Sequence, residues 1–359
     1  MDPFFPTTDP LTRKAWEART DAVAEAETVI TKYFGSGSNS LGIVRDALNR
    51  SYGDEITWSS HWPLKSPGVY GGKTLKGKEE GQTIYTDSMR INMTRHAVPV
   101  GNKIDAQRAP TNLRQLGRDA LGRWKARQEE TAAANHLCGY LPANVETADN
   151  NINQTGHNAV TAVASSRIIR AGGIATDELV AADSTAKFSL KLIDYAVEAA
   201  KVETSTNAPI MPLADNKYVC FLHNYQVTDV RQSDTDWKNI QLYSLADKKD
   251  MSPFYRYALG EYNSTVLVPW QYITPGVNSS TNATVANTRR AVFCGAGALS
   301  VAWGRQSTGG TGNWIESDED YEFEMAVAYE LFWGIKANFY NSIDYGKIVI
   351  TSYAAAHTS

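Results

Sequence analysis

The sequence has little of several features that mark common classes of protein. Only three of its 359 residues are cysteines, and Cys138, Cys220 and Cys294 lie far apart. This number and spacing argue against a disulfide framework and against a CxxC metal site, and they are typical of reduced, semi-buried thiols. Basic residues are not in excess either, since the formal net charge is -4. A dedicated nucleic-acid binder usually carries a basic excess, so the charge argues against that class.

Long apolar runs are also missing. Residues 1–10 lack the basic start and apolar core of a secretory signal. The longest weakly polar stretch, 291–303, is too short and too rich in glycine to span a bilayer. We therefore expect a protein that folds in the cytoplasm, without membrane insertion. With 42% hydrophobic and 21% charged residues, the chain is long enough for a sizeable core and for two or three domains.

The first hundred residues predict an arm that projects from the rest of the chain. Residues 1–13 contain three prolines and predict an extended segment, and 13–33 predict a short amphipathic helix. Two alternating runs then flank a tip rich in glycine and lysine, 68–81. Their apolar residues are Ile56, Trp58, Trp62 and Leu64 in the first run and Met89, Ile91 and Met93 in the second. An isolated two-stranded hairpin is marginally stable, so we expect a neighbouring subunit to cover it.

The middle of the chain predicts helices. An apolar stripe over 111–137, directly after Pro110, predicts a long helix. Residues 142–187 have a weak pattern and predict surface turns and short helices. A second apolar stripe predicts a helix capped by Ser189 that runs to about Glu203. Two shorter helices are predicted over 223–231 and 234–245.

Strands dominate the predictions for the second half. Compact apolar runs predict buried strands at 218–222, 265–268 and 290–294. Between Tyr321 and Phe339, ten apolar residues fall on one parity and predict one very long strand, or two strands joined at Gly334. Residues 347–353 predict a further strand, which we expect to pair with that long one.

Two glycine-rich motifs suggest nucleotide binding, and each has a simpler interpretation. Residues 72–78 fit the start of a phosphate-binding loop, but Glu79 stands where Ser or Thr would hold magnesium, and strands flank the motif on both sides. A flexible loop tip with solvated lysines is the better interpretation. Residues 295–300 resemble a dinucleotide-binding fingerprint, which follows a strand and begins a helix. The alternation of strands and helices that a doubly wound sheet requires is absent around them. Close backbone packing explains those glycines better.

Two sets of polar residues are candidates for chemistry. His223, Asp229 and Ser233 would form a hydrolytic triad on paper, although no GxSxG motif supports it. An acidic run is a candidate calcium site or, more simply, an exposed turn. The run contains Glu316, Asp318, Glu319 and Asp320. At a junction between subunits these carboxylates would pair with Arg289 or Arg290 of a neighbour.

Four groups of segments, in this order, resemble the major capsid proteins of tailed phages with the Hong Kong 97-like fold. They are 77–87 leading into the strand that ends at 95–98, 107–114 at the start of the long helix, 221–231, and 260–263 together with 289–292 and 344–350. The similarity extends over about 40–355, and the closest family is that of podoviruses that package a large virion RNA polymerase. The order and spacing of the segments carry the resemblance, not any single motif.

The resemblance implies an α+β fold with defined parts. They are an N-terminal arm (1–50), an extended β-hairpin loop (51–108), a peripheral domain with a long spine helix (109–188), an axial domain (189–303) and a return to the peripheral domain (304–359). The chain departs from the type member because it has no long N-terminal coiled-coil extension. A separate scaffolding protein, or assembly without a scaffold, is therefore implied.

The resemblance also implies a structural role without enzymatic activity, cofactor or metal. It implies hexamers and pentamers that close into an icosahedral virion shell around double-stranded DNA, without sequence-specific DNA binding and without a membrane. Assembly would take place in the bacterial cytoplasm with scaffolding and portal proteins and, as an option, a decoration protein. The candidate contacts between subunits are Lys73, Lys76, Lys78, Glu79, Glu80, Arg289, Arg290, Asp318 and Asp320.

Three other functions stay open at this point. One is the shell protein of a bacterial nanocompartment, which shares the fold and encloses enzymes; nucleic acid inside purified particles would argue against it. The second is a hydrolase that uses His223 and Asp229. The third is a secreted carbohydrate-binding module with exposed tryptophans, which the missing signal segment argues against.

Overall fold

The computed structural model describes residues 10–45, 53–61, 64, 66–82, 84–108, 112–142, 154–204, 207–213, 216–233, 258–304, 312–319 and 323–357. The helices are α1 (Pro10–Glu27), α2 (Lys103–Arg108), α3 (Leu113–Cys138), α4 (Asp177–Ala182), α5 (Leu190–Lys201) and α6 (Asn224–Ser233). The strands of the first half are β1 (Phe34–Gly35), β2 (Gly42–Val44), β3 (Glu55–His61), β4 (Ile84–Arg90), β5 (Asn92–Asn102), β6 (Ile168–Arg170) and β7 (Tyr218–Leu222). Those of the second half are β8 (Gly260–Tyr262), β9 (Thr265–Pro269), β10 (Gly276–Val277), β11 (Thr284–Val285), β12 (Thr288–Cys294), β13 (Leu299–Trp303), β14 (Asn313–Glu319), β15 (Glu324–Ala337), β16 (Phe339–Tyr340), β17 (Ile343–Asp344) and β18 (Lys347–Tyr353).

The first sheet is built around β15. Its order is β1-β2-β13-β15-β14, and β5 pairs with β15 as well. The alternating side chains of β15 put Val327, Tyr329, Leu331, Trp333 and Ile335 into the core. The predicted long strand is thus confirmed as one continuous strand. Gly334 does not divide it; a side chain there would lie 2.2 Å from the carbonyl oxygen of Arg90.

The long helix α3 packs on this sheet. It begins where the Asn112 side chain accepts the backbone N–H groups of Arg114 and Gln115, and it ends at Gly139 in the left-handed conformation (φ 63°). Its 26 residues span about 39 Å. The helix predicted over 111–137 is therefore confirmed within two residues at each end.

Helix α1 lies along α3. The two helices approach closely at Gly122, where a side chain would lie 3.0 Å from the carbonyl oxygen of Thr20 and as near to Val23. The helix predicted from residue 13 begins three residues earlier, at Pro10, and ends at Glu27, before a short 3-10 turn over Ile30–Tyr33. The rest of the predicted N-terminal extended segment, 1–9, lies outside the described residues.

The second sheet has the order β6-β18-β12-β7-β9-β8. Its central strands are buried on both faces: every residue of β7 is buried, and all but one in β12 and in β18. One face contributes to a core shared with α3 and the first sheet, while the other packs under α5. The strands predicted at 218–222, 265–268 and 290–294 are confirmed.

The last strand corrects one prediction. Strand β18 pairs antiparallel with β12 and parallel with β6, in the second sheet, and not with β15. The edges of β15 are already taken by β5, β13 and β14. An apolar run specifies a buried strand but not its partner, and for this reason the predicted pairing of this strand with β15 is wrong.

Three smaller predictions have different outcomes. Ser189 stands at the N-cap of α5, but its side chain forms no capping hydrogen bond. Residues 295–300 form a turn that enters β13 and do not start a helix; a side chain at Gly295 would lie 2.4 Å from the carbonyl oxygen of Met211, which confirms close backbone packing. The helix predicted over 223–231 is confirmed as α6, and the one over 234–245 lies outside the described residues.

Candidate assembly interfaces

The predicted arm is a β-hairpin. Strands β3 and β4 pair antiparallel over seven residues, from Glu55 opposite Arg90 to His61 opposite Ile84. Seven residues of strand measure about 24 Å. The predicted boundary needs correction, because Met93 does not belong to the hairpin. Strand β5 begins at Asn92 and joins the first sheet beside β15.

The hairpin exposes apolar side chains to solvent. Tyr70 is 90% exposed, more than any other large apolar side chain in the described part of the chain. Leu64, Leu75 and Ile84 are each more than half exposed. Single exposed apolar residues are ordinary, but a group of them on one hairpin makes it a candidate contact surface.

Charged residues at the hairpin tip have two kinds of surroundings. Lys73, Lys76 and Lys78 are exposed, and no other described residue forms an ion pair with them. Glu79 accepts the backbone N–H of Gly77 at 2.7 Å, and Glu80 accepts that of Ser66 at 2.6 Å. These bonds shape the tip, which is followed by β4 and not by a helix. The tip therefore lacks the helix N-terminus that a phosphate-binding loop requires.

The base of the hairpin is fixed to the first sheet. Ile56, Met89 and Ile91 form a small buried cluster with Ala302 of β13. On β15, the ammonium group of Lys336 binds the carboxylate of Asp87 and donates to the carbonyl oxygen of Ser88 at 2.7 Å. The strands of the hairpin are thus attached to their own subunit, and the tip beyond them is exposed.

The two arginines proposed to contact a neighbour differ in their surroundings. The guanidinium of Arg290 is buried and donates to Oδ2 of Asp177 at 2.8 Å and to the carbonyl oxygen of Cys138 at 3.2 Å. Burial acts to raise the pKa of Asp177, but Arg290, the backbone N–H of Val277 and Arg170 outweigh it and hold that pKa below its usual value. Arg290 therefore pairs within its own chain and is not a candidate contact between subunits.

Arg289 remains a candidate contact. Its side chain is half-buried and lies over the ring of Tyr225, 5.7 Å from the ring centroid. Burial lowers the pKa of this guanidinium. A neighbouring carboxylate would offset that cost of burial.

The acidic run separates into a buried and an exposed part. Glu316 is paired within the chain, since it accepts from Nε of Arg114 at 2.9 Å and from the indole of Trp314 at 2.6 Å. Asp318 is exposed near the end of β14, and Asp320 lies outside the described residues. Within the described part of the chain, no group of three or more His, Cys, Asp or Glu side chains is arranged to hold a metal ion. The described part of the run, with Glu316 and Asp318, therefore gives the calcium interpretation no geometric support.

Two residues of the hypothetical triad, His223 and Asp229, have structural contacts, and the side chain of Ser233 lies outside the described part of the chain. Asp229 pairs with Lys187 at 3.0 Å and lies 3.5 Å from His357. Nδ1 of His223 accepts the backbone N–H of Tyr225 at 3.2 Å. Burial, reinforced by Arg289, lowers the pKa of His223 to about 4. A ring nitrogen used as a backbone acceptor is not available as a general base, so these contacts give the hydrolase alternative no support.

A buried acidic group that the sequence did not single out joins three elements. Glu130 of α3 accepts the backbone N–H groups of Val29, at 2.5 Å, and Ile30, at 2.9 Å, and also the indole N–H of Trp270. Burial raises the pKa of Glu130 to about 7, against the effect of these hydrogen bonds. Through these hydrogen bonds Glu130 joins the segment after α1 to the long helix and to the second sheet.

Comparison with solved structures places the fold among phage capsids. A chain from the capsid of Ralstonia phage GP4 superposes with a TM-score of 0.78 at 23% identity, covering 91% of each chain. A chain of the cyanophage Pam1 capsid gives 0.66 at 16% identity, covering 90% of this chain and 92% of its own. A capsid chain of Helicobacter pylori bacteriophage KHP30 gives 0.63 at 12% identity over 91% of each chain. Identities this low show the fold alone.

Sequence comparisons add the family. No curated protein sequence matches the chain. No described helix is long and apolar enough to cross a membrane. A family model described as phage capsid protein matches residues 5–356, nearly the whole chain, so this chain belongs to the phage capsid protein family and is a structural subunit of a phage capsid.

Proposed function

We propose that the chain is the major capsid protein of a tailed phage with the Hong Kong 97-like fold, closest to the podoviruses that package a virion RNA polymerase. It self-assembles as hexamers and pentamers into an icosahedral shell around double-stranded DNA. The observation that carries this proposal is the anchored hairpin with exposed apolar side chains. Such a hairpin has little to stabilise it in an isolated chain, and a neighbouring subunit supplies the missing contacts.

The fold supports assignment of the parts that the resemblance implies. The hairpin is the extended loop, α3 is the spine helix, and the first sheet with α3 forms the peripheral domain. The second sheet with α5 and α6 forms the axial domain. Six strands are assigned differently from the sequence expectation: β1, β2, β5 and β13 join the peripheral domain, and β6 and β18 join the axial domain.

The proposed mechanism is geometric. One subunit has to fit both five-fold and six-fold positions, so its sheets stay rigid while its projections adapt. Obligate interfaces commonly bury about 2,000–5,000 Å² or more, and many such interfaces summed over a closed shell resist the pressure of packaged DNA. The net charge of -4 suits an inner wall that does not hold DNA tightly. Scaffolding and portal proteins, and assembly in the host cytoplasm, belong to the same proposal.

Electron cryomicroscopy of the purified full-length chain tests this function. We expect closed shells with five-fold and six-fold clusters of subunits and with the hairpin of each subunit lying on a neighbour. A chain that stays a compact monomer under all assembly conditions, with its hairpin folded onto itself, would contradict the proposal. Particles from phage-infected cells should contain double-stranded DNA. Particles that contain enzymes and no nucleic acid would favour the nanocompartment.

A further inference from the structure

The hairpin leaves the first sheet at a defined point. The ladder between β5 and β15 runs from Asn102 opposite Glu324 to Asn92 opposite Trp333, where it stops. Strand β15 continues for four residues beyond that point, to Ala337. Strand β4, which precedes β5 in the chain, does not continue the ladder. Other groups therefore have to satisfy the backbone of β15 along this edge.

A turn between the long helix and β6 takes that edge. We call residues 154–158 the wedge turn. The backbone N–H of Ile335 donates to the carbonyl oxygen of Gly156 at 3.2 Å, and the amide nitrogen of Asn158 donates to the carbonyl oxygen of Ile335 at 3.2 Å. The wedge turn thus occupies the position where β4 would otherwise pair with β15, and β4 separates from the sheet.

The side chain of Asn158 also satisfies the backbone of β4. Its amide oxygen accepts the backbone N–H of Arg90 at 2.8 Å, and its amide nitrogen donates to the carbonyl oxygen of Arg90 at 2.9 Å. One side chain therefore replaces a residue of a neighbouring strand, because it supplies both the acceptor and the donor that a ladder would supply. Asn158 bridges the two strands at the point where they diverge.

The wedge turn is itself held in place. The side-chain amide of Asn135 donates to the carbonyl oxygen of Gln154 at 3.0 Å, and His136 bonds the carbonyl oxygen of Thr155 at 2.8 Å. His157 has a left-handed backbone (φ 64°), which is rare for a residue with a side chain, and its ring bonds Thr94 at 2.7 Å. The surrounding contacts offset the cost of that conformation.

A second contact fixes β4 further along the hairpin. Lys336 binds Asp87 and the carbonyl oxygen of Ser88, and the other carboxylate oxygen of Asp87 accepts the backbone N–H of Phe339 at 3.3 Å. Besides its apolar contacts, the strand is therefore held at two points by polar side chains, at Arg90 by Asn158 and at Asp87 by Lys336. Two separate attachments along a strand fix a direction as well as a position.

We propose that Asn158 and the Lys336–Asp87 pair are positioning residues that set the angle at which the hairpin leaves its own subunit. Flexing during assembly is then confined to the tip, 68–81, and does not occur at the base. The use of this fixed angle in building a shell rests on the proposed function. The angle itself is a property of the single subunit and is measured without assembly.

Distances between spin labels on the full-length chain test the proposal. One label is placed on β3 by Ser59→Cys and one on an exposed position of the long helix by Arg127→Cys; the three native cysteines are buried and do not react. We expect one narrow distance distribution in the parent chain. In the Asn158→Ala variant it should broaden, and amide exchange over 84–92 should become about tenfold faster, the size expected for one or two lost hydrogen bonds.

Asn92→Ala is the matched control, since among the described residues the exposed Asn92 side chain bonds only the backbone of its neighbour Met93 in the same junction. It should leave the distribution narrow. If Asn158→Ala does not fold, Lys336→Met gives the same test at the second attachment. A parent distribution that is already broad, or variants at both attachments that stay as narrow as the parent, would overturn the proposal. Failure of the unmodified chain to form shells would instead contradict the proposed function.

Discussion

The strands of the second sheet and those of the hairpin differ in how much of their surface their own subunit buries. Every residue of β7 is buried, with one face in each of two cores. Strands β3 and β4 form a two-stranded ribbon that contacts its own subunit through residues such as Tyr85 and Asp87, and the tip that joins them is exposed. The second sheet is stabilised on both faces by its own subunit, whereas the tip of the hairpin is exposed.

This difference separates folding from assembly. Substitutions in the second sheet should change the free energy of unfolding and affect assembly only through it. Substitutions on the outer hairpin should change assembly and leave unfolding almost unchanged. The expected change in unfolding free energy is largest for substitutions in the second sheet and smallest for substitutions at the hairpin tip.

The largest effect is expected in the second sheet. Phe293 is fully buried beneath α5, and its ring lies 4.8 Å from that of Tyr218. Phe293→Ala should lower the unfolding free energy by about 3–5 kcal/mol, because a core cavity replaces the ring. Chemical denaturation of the unassembled chain measures this. A loss below about 1 kcal/mol would show that this region is not the rigid part.

A buried ion pair should matter nearly as much. Arg290→Met leaves the carboxylate of Asp177 buried with only Arg170 as its cation, and we expect a loss of about 3 kcal/mol. The matched control is Arg123→Met, which breaks the exposed pair with Glu27 and should cost at most about 0.5 kcal/mol. Equal losses of unfolding free energy in the two variants, measured by denaturation, would show that Arg290 does not form a stabilising buried ion pair.

Glu130 predicts a specific pH dependence. Its pKa is raised from 4.5 to about 7, so the folded chain binds this proton more tightly than the unfolded chain does. Its contribution to stability is complete below pH 4.5, falls as the pH rises towards 7 and is constant above that. The fall is on the order of 3 kcal/mol, since one pKa unit corresponds to about 1.4 kcal/mol and the pKa rises by about 2.5 units.

The difference in unfolding free energy between the natural chain and Glu130→Gln isolates this group. Buried His136, whose pKa is lowered to about 4 mainly by burial, has the opposite pH dependence and cancels in the difference. The stability of the natural chain relative to the variant should decrease between pH 4.5 and 7. A difference that stays level or increases over this range would contradict the assignment.

The smallest change in stability is expected at the hairpin tip. Tyr70→Ala should alter the unfolding free energy by no more than about 0.5 kcal/mol, because the side chain is 90% exposed. The same substitution should reduce the yield of closed shells, since it removes the most exposed apolar group of the proposed contact. Sedimentation of assembly reactions measures the yield. Normal assembly would place the contact elsewhere on the hairpin.

Elements with strong periodicity could be predicted from the sequence, but the strands and helices with which they pair could not. Strand β15 and helix α3 carry long apolar patterns, and both were located within a few residues. The pairing of β18 with β12 was not predictable, because burial on both faces leaves no pattern that selects one neighbour. Arg290 resembled a surface charge until the fold placed Asp177 beside it. Asn158 lies in a segment of weak pattern, and its role depends on where two distant strands diverge.

Hydrogen exchange of the hairpin in free and assembled chains tests the central claim most directly. If a neighbouring subunit covers the hairpin, amides over 66–90 should exchange rapidly beyond the base in the free chain and become strongly protected in assembled particles. Amides of β7 should be equally protected in both states. Identical exchange of the hairpin in free and assembled chains would contradict the account.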